Sequence, residues 1–273
     1  MKAARVIATV SCLAISSALA LASEPTPYPY PTPEPIAETR PAVDGVNGKL
    51  SFAGAGGDVD GYGMAGSVTA PLGNRFGFQL DGAAAEVNEQ AYDDIPVYAT
   101  GAHLFWRDPS RGLLGIYGDY THVDVGNGFS FFTAAIEGAL YWGRFSIDGL
   151  VGLKGGETAE TGFHNQLHVT YYPTDNLSLR LGHSYSYGHH NFSLGSEWAL
   201  GGSSGVTPSL FAAGLADADG HRAFVGGVKF YFGNRDKTLI QLHREADPRS
   251  YVAAESDQEN NQEIILIGPT ELQ

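Results

Sequence analysis

From Val46 to Phe232 apolar and polar residues alternate at every second position. In "FSIDGLVGLK", Phe145, Ile147, Gly149, Val151 and Leu153 share one parity, while Ser146, Asp148, Gly152 and Lys154 share the other. "LSLRLGHSYSY" sets Leu177, Leu179, Leu181, Tyr185 and Tyr187 against Ser178, Arg180, Ser184 and Ser186. "FHNQLHVTYY" opposes Phe163, Leu167, Val169 and Tyr171 to His164, Gln166, His168 and Thr170, and "RFGFQLDG" opposes Phe76, Phe78 and Leu80 to Gln79 and Asp81. Successive side chains of a strand point to opposite faces, so this is the pattern of a two-sided sheet. About twelve such runs, with ten to fourteen as the bounds, centre near residues 50, 66, 80, 102, 117, 136, 149, 167, 181, 195, 212 and 228. An even number returns both chain ends to one side.

The joints between runs fall into two chemical sets. Odd-to-even joints carry Asp58, Asp60, Glu86, Glu89, Asp93, Asp94, Asp124, Glu157, Glu160, Asp217 and Asp219, with no Lys or Arg before Arg222. Even-to-odd joints are tight and mostly basic: "PLGNR", "RDPSRG", "GR" and "PTDN", with "GGSSGVT" uncharged. Aromatic pairs collect at the basic end: Phe105-Trp106, Tyr141-Trp142, Tyr171-Tyr172 and Tyr231-Phe232. Trp and Tyr favour a water–lipid boundary, because an apolar ring carries a polar NH or OH. Trp106, Tyr141, Trp142, Tyr171, Tyr172, Tyr231 and Phe232 are therefore expected to form a girdle.

Alternation alone fits a soluble sandwich or lipocalin-like barrel as well as a membrane barrel with its apolar face outward. The strand number and spacing, the aromatics grouped by end and the many ionisable residues on the polar parity favour the membrane form. A lipid-embedded sheet must then close on itself, because every backbone amide needs an internal partner. The run "GGVKFYFGN", with Phe224, Val228, Phe230 and Phe232 on one parity, resembles the insertion signal of bacterial outer-membrane β-barrel proteins, an alternating strand ending in phenylalanine. The resemblance covers residues 46 to 232 as a pattern and implies a closed antiparallel up-and-down transmembrane barrel in the outer membrane. Those proteins usually stop at that phenylalanine, whereas this chain continues through "GNRDKTLIQLHREADP".

The ends differ in composition from the middle. Residues 1–22 combine Lys2 and Arg5, an apolar stretch from Val6 to Leu21, and Ala20-Leu21-Ala22, the features of a cleaved signal peptide. Cys12 lies mid-stretch, after too short an apolar run for a lipoprotein acceptor, and cleavage would remove the only cysteine. Without Lys2 and Arg5 the 16 basic residues become 14 against 30 acidic ones, a balance of about −16 that argues against nucleic-acid binding. Charged residues are 17% of the chain, below the roughly 25% usual for soluble domains. No remaining apolar run has the 18 or more residues of a membrane helix. Residues 23–44 contain "EPTPYPYPTPEP", whose alternating prolines predict an extended polyproline arm reaching roughly 35 Å. The barrel is expected over 45–233 and a periplasmic acidic tail over 234–273, with a short helix between Lys237 and Asp247 and a solvated stretch from Glu255 to Glu263.

With the apolar parity outward, the interior receives Lys49, Gln79, Asp81, His103, Asp119, Glu137, Asp148, His164, Gln166, His168, Arg180, Glu197 and Lys229. Buried charges persist only when paired or hydrated, so the choice lies between a salt-bridged fill and the wall of a water-filled passage. Twelve strands lie between the filled eight-stranded barrels and the open sixteen-stranded ones, and interspersed Gly, Ala and Ser favour a narrow passage. No metal site is expected: His164 and His168 lie about 13 Å apart along a strand, and His189-His190 lack a clear third ligand. Catalytic patterns fail on context. "GGSSG" runs into strand, "DVDGYG" lacks the later calcium ligands, and His190 with Ser193 is only a loose pairing. The expectation is a cofactor-free, non-enzymatic, porin-like channel for small polar solutes or cations, in contact with outer-membrane lipid and lipopolysaccharide. Two rivals are a structural envelope protein reaching peptidoglycan or periplasmic proteins through its termini, and a lipid-modifying enzyme.

Overall fold

A computed structural model describes residues 40–89, 92–157, 160–201, 205–218, 220–233, 236–246 and 248–251. The segment expected as a signal peptide, nearly all of the expected proline-rich arm, Asp219 and the residues after Tyr251 lie outside the described residues. Twelve strands follow in order: β1 (Asn47–Gly57), β2 (Asp60–Leu72), β3 (Phe76–Glu89), β4 (Tyr92–Asp108), β5 (Gly112–Val123), β6 (Phe129–Trp142), β7 (Phe145–Gly156), β8 (Gly162–Thr174), β9 (Leu177–Ser186), β10 (His189–Ala199), β11 (Val206–Asp217) and β12 (Arg222–Phe232). Each pairs antiparallel with its neighbours, and β12 returns to β1, from Gly48 opposite Phe232 to Gly57 opposite Ala223. The cylinder is closed and its backbone groups satisfy one another. After β12 come a short helix, α1 (Leu239–Gln241), and a π-helical turn, Leu242–Ala246. Among the described residues no helix is long and apolar enough to cross a membrane.

Turn geometry follows the residues at the joints. β9 and β10 are joined by Tyr187 (φ 49°) and Gly188 (φ 95°) alone. Two successive positive φ values match the right-handed twist of the flanking strands, which makes this a tight, rigid hairpin.

The polarity of the cylinder is inverted relative to a soluble barrel. Leu179 and Leu181 are 44% and 59% exposed on the outer surface, whereas Arg180 between them is only 9% exposed. On β6 the outer face carries Phe132, Ile136, Leu140 and Trp142, while Glu137 is buried inside. Phe132 to Trp142 span about 33 Å of strand at roughly 3.3 Å per residue, or about 25 Å of depth at the usual tilt, which matches the apolar band of an outer-membrane barrel.

Strand parity corrects the expected girdle. Adjacent residues of a strand cannot both face lipid. Trp142, Tyr171 and Phe232 are exposed on the outside, and Trp106 shares the parity of exposed Leu104. Tyr172 and Tyr231, each 1% exposed, turn inward, and Tyr141 turns inward beneath the Arg244 guanidinium, which lies 5.2 Å from its ring centre. The inward member of each pair serves the interior instead.

Ile136→Arg, near the middle of the outer band, is expected to destabilise the barrel by about 2–4 kcal/mol in urea titrations of protein refolded into lipid vesicles. Unchanged stability would mean that this surface does not meet lipid.

Candidate functional site

Most of the interior ionisable residues form connected sets toward the end of the cylinder where β1 begins and β12 ends. His103 bridges two carboxylates, with Nε2 2.8 Å from Asp81 Oδ2 and Nδ1 2.9 Å from Glu137 Oε2, all three side chains out of contact with solvent. Carboxylates accept only, so both contacts are satisfied when both ring nitrogens carry hydrogen. Gln79 extends the set, donating to Asp81 Oδ1 at 2.8 Å while its carbonyl accepts from Thr69. Across the barrel, Glu197 takes Lys229 Nζ at 2.8 Å, Ser209 Oγ at 2.7 Å and the Tyr231 hydroxyl at 2.8 Å. His168 lies 3.5 Å from Asp148, and Arg180 donates to Thr170 Oγ1 at 3.0 Å. His164 is buried beside Gln166, and Asp119 is half-buried. His164 and His168 face different neighbours and do not converge.

Toward the acidic joints the interior changes character. Val59, Val87, Ile95, Val97, Val123, Phe129 and Phe131 form one buried apolar cluster, and Phe211, Ala213, Ala223 and Val225 form a second. The inner parity there mixes these apolar side chains with ionisable ones: Lys154 Nζ lies 5.2 Å from the Phe131 ring centre, and His164 is buried near the start of β8. Along β3 to β6 alternation fades near Ile95 and Val97, where a run such as "IPVYA" leaves the faces undistinguished.

The largest departure from the sequence expectation concerns the segment after β12. A short helix is expected between Lys237 and Asp247 within a periplasmic tail; helical turns do form there, but residues 237–246 and 248–251 lie within the mouth of the cylinder. Leu239, Leu242 and Ala246, all 0% exposed, pack against Ala199 and Tyr231. The Ile240 and Leu239 amides donate to Asp175 O and Asn176 Oδ1 in the β8–β9 turn. Arg244 donates to Gly143 O, Phe145 O and Ser146 Oγ at 2.7 to 3.1 Å. A helical turn ends with carbonyls that lack intrahelical donors, and here wall residues supply them. Arg107 donates to both Glu245 O and Ala246 O at 2.9 Å, Asn47 also donates to Ala246 O, and Lys49 and Gln79 reach Pro248 O at 3.2 and 3.3 Å. Arg107 Nε also donates to Ala42 O at 2.6 Å, which ties the residues before β1 into the same assembly. Tyr251 ends the described path against Tyr117 and His103, at ring-centre distances of 5.4 and 6.0 Å. Partners come from β1, β3, β4, β5, β6, β7, β8, β10 and β12, so the segment lies across the mouth rather than along one wall. A cavity of about 40 Å³, enough for a few waters, remains between Arg249 of the segment and Tyr141, Asp148 and Arg180 of the wall.

His243 sits at the centre of this contact. Nε2 is 3.1 Å from the Tyr231 hydroxyl, which already donates to Glu197, so the ring donates there; Nδ1, 3.0 Å from the Tyr172 hydroxyl, then accepts. That is the neutral ring. Burial holds its pKa below the ordinary 6.5; Glu197 opposes this, and Arg180 and Lys229 reinforce it.

The acidic joint residues remain at the other end. Asp58, Asp60, Asp94, Asp124, Glu157 and Glu160 are exposed. Glu86 accepts from Tyr62, and Asp217 is held in the β11–β12 joint by the Gly220 and His221 amides and the His221 ring. Glu89 and Asp93 flank the β3–β4 joint. The loose pairing of His190 with Ser193 dissolves, because His190 is exposed outside and Ser193 faces inward toward His168 and Gly182. Arg107, Asn47 and His243 were missed by sequence reasoning. The helix itself is expected between Lys237 and Asp247; the signal that it packs inside the barrel lies in Leu239, Leu242 and Ala246, which share one apolar face.

No protein-family model matches the chain, and no curated protein matches it either. Solved structures do. The KdgM porin in complex with disordered oligogalacturonate superposes with TM-score 0.52 at 10% identity, covering 67% of this chain and 98% of that one. The translocator domain of the autotransporter NalP from Neisseria meningitidis gives 0.55 at 9% identity over 70% and 88%. An outer membrane channel from Pseudomonas putida F1 gives 0.50 at 13% identity over 73% and 98%. At these identities the likeness is one of fold: the chain has the architecture of a bacterial outer-membrane β-barrel.

Two outcomes are expected of the inserted segment. Arg107→Met removes the donor to Ala42, Glu245 and Ala246 and should accelerate tryptic cleavage at Arg244 and Arg249 in the folded protein at least tenfold; an unchanged cleavage rate would show that these bonds do not hold the segment. A released His243 takes up a proton at its ordinary value, whereas the docked ring resists it. Docking is therefore strongest above about pH 6.5 and weakens as the pH falls below it. Cleavage should accordingly be faster at pH 5 than at pH 7.5 after correction for trypsin's own pH dependence, and His243→Gln should flatten that difference.

Proposed function

We propose that the protein is an outer-membrane channel for small polar solutes whose passage is closed at rest by its own C-terminal segment. The observation that carries this is the way residues 237–251 are held. Their backbone carbonyls are met by Arg107, Lys49, Asn47 and Gln79, polar side chains that water can serve equally well once the segment leaves. Exchanging such a bond for water changes the free energy by only about 0.5–1.5 kcal/mol, or about 1.5–3 kcal/mol with a charged donor. Docking is thus specific but separable. The wall left behind, with Lys49, Arg107, Arg180, Glu197 and Asp148, is one that a hydrated passage tolerates and a dry interior does not.

The acidic joints supply a second element. Asp58, Asp60, Asp94, Asp124, Glu157 and Glu160 lie exposed around the opposite opening, where negative charge raises the local concentration of cations. Selection of cations over anions at that opening forms part of the proposal, as does export to the outer membrane.

A planar-bilayer comparison tests it. The full chain should be silent or rarely open, whereas a chain ending at Gly233, which keeps all twelve strands, should conduct in discrete steps. Reversing Asp58, Asp94 and Glu157 to Lys in the shortened chain should shift the reversal potential toward anions. Silence from a shortened chain that still shows heat-modifiable gel mobility would contradict the channel and favour a structural role in the envelope.

A further inference from the structure

We propose that His183 and His190 form a binding site for a divalent transition-metal ion on the outer surface of the barrel, near the acidic joints. Both residues belong to the outward parity of their strands. In the β9–β10 register Phe192 stands opposite His183 and Tyr185 opposite His190, so the two histidines are diagonal neighbours across the ladder. Diagonal neighbours are within reach of long and aromatic side chains, and here the rings meet: His183 Nε2 lies 3.0 Å from His190 Nδ1.

That separation is what a single ion requires. Two metal–nitrogen bonds of about 2.0–2.1 Å place their nitrogens about 3.3 Å apart at a tetrahedral angle and about 2.9 Å apart at a right angle. The observed distance falls between these, so an ion can replace the shared hydrogen once the two rings turn their lone pairs toward a common point. The surroundings limit the rings' freedom. The Phe192 ring centre is 5.1 Å from that of His183, and the Tyr185 ring centre is 4.9 Å from that of His190. The two-residue turn at Tyr187–Gly188 fixes the strands that carry them. Two imidazoles suit Cu²⁺ most strongly and Zn²⁺ next among common divalent ions. The remaining coordination positions face outward, toward an oxygen ligand from outside the chain. No group of three or more His, Cys, Asp or Glu side chains placed to hold an ion occurs among the described residues, so the site depends on this pair alone.

The test uses tag-free full-length protein in detergent micelles, titrated with Cu²⁺ alone. One ion per chain should bind, with the electron paramagnetic resonance signature of two imidazole nitrogens. His183→Ala and His190→Ala should each weaken binding at least tenfold and lose one nitrogen from the spectrum. His189→Ala, which changes the inward neighbour, should do neither. Binding should also weaken on acidification, because protonated imidazole has no lone pair to give. Heat-modifiable mobility of each variant confirms that the barrel is intact. No binding at millimolar Cu²⁺, or equal binding by the wild type and the double variant, overturns the proposal.

Discussion

The pairing of β12 with β1 governs the rest of the structure. Ten residue pairs, from Gly48 with Phe232 to Gly57 with Ala223, join the two ends of a sheet that would otherwise present open edges. In lipid an unpaired backbone amide has no solvent to turn to, so a sheet of outward Leu, Ile and Phe is tolerable only once it is closed. Closure also fixes the orientation of everything else. It places the apolar parity on the outside, confines the ionisable parity to a bounded interior, and brings the start of β1 and the end of β12 to one opening, where the segment after β12 folds back inside.

The interior is organised by the cost of unpaired charge. Lys229 meets Glu197, and His103 meets Asp81 and Glu137. The cations left at the mouth, Lys49 and Arg107, find carbonyls of the inserted segment. The segment therefore complements the wall as well as filling space, its carbonyls accepting from wall donors. Apolar contacts of Leu239, Leu242 and Ala246 with Ala199 and Tyr231 add to this, but the helical turns they anchor are short. A plug held largely by polar contacts can leave without stranding a dry surface, and this is why the docked state is read as the closed state of a passage rather than as a permanent core.

The barrel was legible in the sequence because strand period is a local property. Each of the twelve runs could be found alone, and closure followed from chain ends, parity and lipid chemistry. What was not legible depends on relations between distant residues. Tyr172 and Tyr231 were grouped with the girdle because proximity in sequence was weighed above parity, which would have turned them inward. The apolar cluster around Ile95 and Val97 was hidden because these residues lie in a segment without clear alternation. Arg107 appeared to be one more basic turn residue, although its partners lie 138 and 139 positions away. The contact of His183 with His190 requires the register of β9 against β10, which spacing alone does not fix.

The central claim, apolar parity to lipid and polar parity to the lumen, is tested most directly by single nitroxide labels at positions 177 to 182 of β9. They would be introduced in a Cys12→Ser background and the protein reconstituted in bilayers. Lipid-dissolved oxygen should reach labels at Leu179 and Leu181 and be largely excluded from those at Ser178 and Arg180, an alternation with a period of two residues. Uniform access along the strand, or the opposite alternation, would contradict the account.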